Sequence, residues 1–122
     1  MNRLIASLIV AAPLAVACGA SYPVPTQSAT DAKAAERSAA ELGANSDPAS
    51  QLYLKLADEE IKQADKAIAD GDNKRAQFLL VRAKADAELA VAMAKQTKAK
   101  QEAQKAAEDA AKQNQAIQGA KR

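Results

Sequence analysis

Few side chains in this 122-residue chain could do chemistry, and the missing ones narrow the choices first. There is no histidine and no tryptophan, and Cys18 is the one cysteine. Without imidazole, and with a single thiol, nucleophile–base pairs and transition-metal sites lose their usual parts. Carboxylates remain, clustered as Asp58-Glu59-Glu60 and as Asp70-Gly71-Asp72-Asn73. Oxygen clusters can hold hard cations, but an EF-hand loop needs further ligands at set spacing and a closing Glu. Leu79 and Leu80 stand where such ligands would be due. A solvated helix face and a helix–helix turn account better for both clusters. The chain therefore reads as non-enzymatic, with no catalytic, cofactor-binding or metal-binding residue. Nucleic acid is an unsuited partner too, because a net charge of +2 is no concentrated basic field.

Cys18 sits where a secretory signal would be cut. Met1-Asn2-Arg3 carries one positive charge, Leu4 to Ala17 is uncharged, and small residues precede the cysteine. This describes a signal peptide over residues 1–17. It is shorter than the roughly 18 to 20 apolar residues a membrane span needs, and Pro13 interrupts it. Leu14-Ala15-Val16-Ala17-Cys18 resembles the lipobox of bacterial lipoproteins, with Ala15 where that box usually has Leu. The resemblance implies that the Cys18 thiol receives a diacylglycerol, the peptide is cut before it, and the new amino group is acylated, commonly with palmitate. Two or more chains, at about 0.8 kcal/mol per buried methylene, give stable anchoring without a spanning helix. In lipoproteins of enteric-type bacteria an Asp after the cysteine favours the inner membrane. Gly19-Ala20 here implies the outer membrane, facing the periplasm. The alternative is an ordinary secretory signal with an incidental thiol, a liability in an oxidising compartment.

The elements behind these residues read as all-α. Hydrophobic content is 48%, mostly alanine, and aromatics are 2%, a composition that suits long helices. Residues 18–30, rich in Pro, Ser and Thr, read as a flexible spacer. Residues 31–112 form the expected helical domain. A first helix over 31–42, capped by Ser28 or Thr30 and ended by Gly43, sets Ala32, Ala35, Ala39 and Leu42 on one side. A second, over 48–69, starts at Ser46-Asp47-Pro48 and carries the heptad stripe Leu54, Ala57, Ile61, Ala64 and Ile68. Asp70-Gly71-Asp72 turns the chain into a third helix over 73–112, with stripe Ala76, Leu80, Ala83, Ala87, Ala90 and Ala94. So short a turn predicts an antiparallel helical hairpin. Phe78, Leu79, Leu89, Val91 and Met93 fall partly off that stripe, where they would receive the first helix or a partner, and Phe78, Leu89 and Met93 are candidate partner-binding residues. The third helix overshoots the second by some 25 Å or more at 1.5 Å per residue, leaving a protruding arm whose apolar surface is alanine. Residues 113–122 read as a basic tail. Charge is segregated as well: residues 31–94 hold 9 basic and 12 acidic groups, residues 95–122 hold 7 and 3.

Gly71-Asp72, Ala76, Leu80, Ala83 and Ala64 are similar to the turn and small positions of a single tetratricopeptide-like unit. Such units need about three copies to bury a continuous core, so no peptide groove is implied. Residues from about 49 to 95, with the alanine-spaced helix Leu54 to Ala69, the acidic Gly turn and Lys84-Ala-Asp-Ala-Glu-Leu-Ala, resemble bacterial lipoproteins with domain of unknown function 4398. That resemblance implies a small, lipidated, helical protein without catalytic residues. Its expected role is a structural or adaptor lipoprotein of the cell envelope, contacting an envelope protein or a second copy of itself. An alternative is a tether to peptidoglycan resembling the major outer-membrane lipoprotein, which is joined through a C-terminal lysine. This chain ends Ala120-Lys121-Arg122, with its lysine penultimate. A soluble periplasmic chaperone fits the charged helices but not Cys18.

Overall fold

A computed structural model describes residues 22–120. The signal over 1–17, Cys18, Lys121 and Arg122 lie outside the described residues. The described chain is all helical: α1 over Thr26–Glu41, α2 over Pro48–Ala69 and α3 over Asn73–Ala120. A short 3-10 turn at Ala44–Ser46 joins α1 to α2.

Local chemistry fixes the ends of α2. Asp47 is extended and its Oδ2 accepts the Ser50 amide at 2.8 Å and the Ser50 hydroxyl at 2.7 Å. Pro48 follows in the first helical position, where its missing N–H costs nothing. At the other end Gly71 takes φ +79°. The Asp72 amide returns to the Ala67 carbonyl at 2.8 Å and the Gly71 amide to the Ile68 carbonyl at 3.0 Å, the paired bonds of a Schellman motif. Asp72 then caps α3, its Oδ1 accepting the Arg75 amide at 3.1 Å.

α2 and α3 pack as an antiparallel hairpin, and α1 lies against both. The Ser28 hydroxyl meets Gln77 at 3.0 Å and Asp31 lies 3.6 Å from Lys84, so α1 runs parallel to α3. Lys33 pairs with Asp65 at 3.0 Å, across the antiparallel α1–α2 contact. The core is largely alanine, which lets the helix axes approach closely. One cluster holds Ala32, Ile61, Ala64, Leu79, Leu80 and Ala83; the other holds Ala39, Ala44, Leu54, Ala90 and Ala94. Leu80 is fully buried.

Three expectations need correction. First, α1 starts at Thr26, five residues early, and neither Ser28 nor Thr30 caps it. Ser28 is taken by Gln77, and the Thr30 hydroxyl bonds back to the Thr26 carbonyl at 3.0 Å. From residue 22 onward the segment read as spacer is held by tertiary contacts: Pro25 is buried, and Asn73 Nδ2 donates to the Tyr22 carbonyl at 2.7 Å. Second, Leu42 is exposed and Ala35 half-buried, so α1 buries only Ala32 and Ala39. Third, residues 113–120 continue α3, since nothing between Lys112 and Ala120 breaks a helix except Gly119, which the last turn accommodates. Leu79, expected to receive the first helix or a partner, packs in the core cluster that holds Ala32 of α1, because α3 lies against two helices and buries a stripe wider than a heptad seam. With 48 residues α3 is about 72 Å long, against about 33 Å for the 22 residues of α2.

Candidate interaction surface

The surface worth attention is the side of α3 turned away from α1 and α2. Its residues stand outside because the buried positions, Ala76, Leu80, Ala83, Ala87, Ala90 and Ala94, use the opposite side of the helix. Of the three candidate partner residues, Phe78 is 62% exposed and Leu89 41%, eleven residues apart and so three turns along one face. Met93 is half-buried, turned toward the α2 side. The structure thus brings Phe78 and Leu89 onto one face and leaves Met93 at its margin.

Two members of the face were not singled out in the sequence: Val81, 55% exposed, and Ile117, 50% exposed near the far end of the arm. The steps 78, 81, 85 and 89 carry the signal, but it is legible only once the other stripe is known to be filled. Every residue from 98 to 120 is exposed. These 23 residues extend the helix about 34 Å beyond the bundle. Their root is seated where the α1–α2 connection crosses α3, in a shallow cleft lined by Leu42, Asp47, Ala94, Thr97 and Lys98.

Beside Phe78 the surface turns polar. The Arg82 guanidinium lies 5.8 Å from the Phe78 ring centre, and its Nη2 sits 2.7 Å from Glu60 Oε1. Glu60 is almost fully buried in α2. Burial raises its pKa above the ordinary carboxylate value, the Arg82 charge works against that shift, and Asp86 adds to it. Its second oxygen has no hydrogen-bond partner among the described residues. Desolvating the carboxylate offsets much of its attraction to one exposed guanidinium, so the pair adds little net stability. Asp47 is shifted the other way, lowered chiefly by the Ser50 hydroxyl and then by the Ser50 amide.

The acidic clusters do not converge. Asp58 pairs with Lys62 at 2.6 Å, Glu60 faces Arg82, Asp70 ends α2 and Asp72 caps α3. Among the described residues no group of three or more His, Cys, Asp or Glu side chains is placed to hold a metal ion. No helix among them is long and apolar enough to cross a membrane. No family model, curated protein or solved structure matches the chain.

Proposed function

We propose that this chain is a non-enzymatic envelope lipoprotein, anchored through acyl chains on Cys18 in the outer membrane facing the periplasm, that acts as an adaptor through its outward α3 face and protruding arm. The observation that carries this reading is the arm: 23 consecutive helical residues, all exposed, with no core of their own. Isolated helices are marginal in water, and a helix without packing gains little from its own hydrogen bonds. A surface of this kind is maintained to meet something. Polarity of the chain supports the same reading. Tyr22 sits on Asn73, at the turn end of the hairpin, and α3 leaves from the other end. The four residues from Cys18 to Tyr22 span at most about 14 Å. An anchor at Cys18 would therefore hold the turn end close to the headgroups, with the arm directed away from the anchor.

The resemblance to lipoproteins with domain of unknown function 4398 belongs to this proposal and rests on the residues quoted for it. The test is in two parts. Labelled palmitate is expected in the native chain and absent from Cys18→Ser; label retained by the variant would refute the anchor. Photo-crosslinkers at Phe78, Leu89 and Ala103 in cells are expected to capture a defined protein. Crosslinkers at those positions that give no adduct, while one on the buried face reports an intact fold, would refute the adaptor role. The reach of α3 also favours a second reading, a tether to peptidoglycan, and digested cell walls lacking any peptide of this chain would eliminate it.

A further inference from the structure

The outward face of α3 is a single stripe that runs from Phe78 to Ile117. Its steps are three, four and four to Leu89, then an unbroken alternation of three and four through Ala92, Gln96, Ala99 and onward to Ile117. All twelve positions on it are exposed. Apolar residues larger than alanine are confined to the bundle end and the tip, and alanines with Gln96 fill the middle. The stripe is also nearly symmetric about the point between Thr97 and Lys98. Turned end for end, Phe78 falls opposite Ile117, Leu89 opposite Ala106, Ala92 opposite Ala103 and Gln96 opposite Ala99.

We infer that the occupant of this face is a second copy of the chain, paired antiparallel through α3 so that each arm lies along the bundle of its partner. Three physical arguments choose this occupant. The first is shape: in the antiparallel register each Leu89 has an alanine opposite, and the alanine middle lets the axes approach to about 8 Å. The second is charge at the flanks of the stripe. Parallel pairing sets Lys95 beside Lys100 of the other copy, whereas the antiparallel register sets Lys95 beside Glu102. Glu88 then approaches Asp109, but each already has a lysine of its own helix within 4.0 Å, Lys84 and Lys112. The third is area. A strip about 59 Å long and about 10 Å wide covers on the order of 1,200 Å² over both copies, the lower end of specific interfaces. A stripe with period 3.5 needs a gentle left-handed supercoil to stay closed.

The arrangement is compatible with one membrane surface, in which respect it rests on the anchor proposed above. α1 meets α3 through Gln77 and Lys84, and Tyr22 sits over Asn73. These positions lie about a quarter turn from the stripe at 100° per residue. The two-fold axis of an antiparallel pair is perpendicular to the plane of the helices, so both Tyr22 ends fall on the same flank of the rod.

The test uses the purified full chain in detergent, with Cys18→Ser as background. Leu89→Cys and Ala106→Cys are prepared separately and oxidised mildly, alone and mixed. The expected result is a disulfide-linked dimer at least tenfold more abundant in the mixture than in either variant alone, because residues 89 of the two copies lie about 26 Å apart along the axis. Dimers from each variant alone would mean parallel pairing and overturn the inference. A monomer in sedimentation at tens of micromolar, with no crosslink, would also overturn it. Ala103→Glu is expected to abolish the dimer while leaving the melting of the bundle unchanged, since residue 103 touches no core. A monomeric chain that crosslinks in cells to one other envelope protein would refute the dimer and leave the adaptor reading standing.

Discussion

Ala83→Leu asks whether the helices are held apart by alanine or merely contain it. Ala83 is fully buried where α3 meets Ile61 and Ala64 of α2, in one cluster with Leu80 of its own helix. The substitution adds three carbons to a fully buried site, and overpacking of this kind costs about 1 to 3 kcal/mol. Helix propensity does not confuse the comparison, because Leu follows Ala closely in rank. Ala34→Leu supplies the control: Ala34 is exposed on α1, and the same three carbons there should change stability by no more than about 0.5 kcal/mol. For a domain of this size, 2 kcal/mol corresponds to a drop of about 8 to 16 °C in Tm. Circular dichroism at 222 nm, followed through heating and through urea, reads both variants, and the shift in urea midpoint confirms that stability rather than slope has changed. If Ala83→Leu melted with the parent, the axes would stand farther apart than the structure has them, and the close-packed account of the core would fail.

Other perturbations reach the caps and the buried carboxylate. Asp47→Ala should lower the urea midpoint, through the lost bonds to the Ser50 amide and hydroxyl. Because the Asp47 pKa is lowered on folding, its contribution is present above the ordinary value of 3.8 and is lost as pH falls through the lowered one. Equal acid sensitivity of parent and variant would contradict this. Glu60 has the opposite sign. Its raised pKa means that the folded state binds the proton more tightly, so its contribution is present below the ordinary 4.5 and is lost as pH rises through the raised value. Glu60→Gln should therefore gain on the parent as pH rises from about 4 toward neutrality, and a pH-independent difference in urea midpoint would count against it. Gly71→Ala should cost about 1 to 2 kcal/mol, because φ is +79° there. A Cβ at that position would meet nothing within 4 Å, so the cost is conformational alone, and an Asn variant should recover part of it.

The sequence by itself determined the hairpin. Leu54, Ala57, Ile61, Ala64 and Ile68 on one helix, and Ala76, Leu80, Ala83, Ala87, Ala90 and Ala94 on the other, repeat at the period of a buried face, and all are buried except Ile68, which is half-buried. Asp47-Pro48 and Gly71-Asp72 mark ends that local chemistry alone can set, because a cap and a left-handed glycine need no distant partner. Contacts made across the chain were not legible in this way. The early start of α1 depends on Pro25 being buried and on Asn73 reaching Tyr22, 51 residues away. Leu79 and Leu89 read alike, as residues for the first helix or a partner, and only the packing of α1 buries the one and leaves the other outside. Glu60 sits in an acidic run that looks solvated, and its burial follows only from the register of α2 on α3.

The same division holds for the candidate surface. Residue types alone pointed to Phe78, Leu89 and Met93, of which Met93 is half-buried, and helix lengths alone predicted an arm. Which apolar residues remain outside is a property of the tertiary structure, because a helix with two apolar stripes can bury either until its partners choose. So is the direction of the arm: α1 must lie parallel to α3 before the chain's described start and the tip of α3 fall at opposite ends. Periodicity is local and survives in the sequence. Choice of face and direction are set by packing between helices, where the free energy is gained.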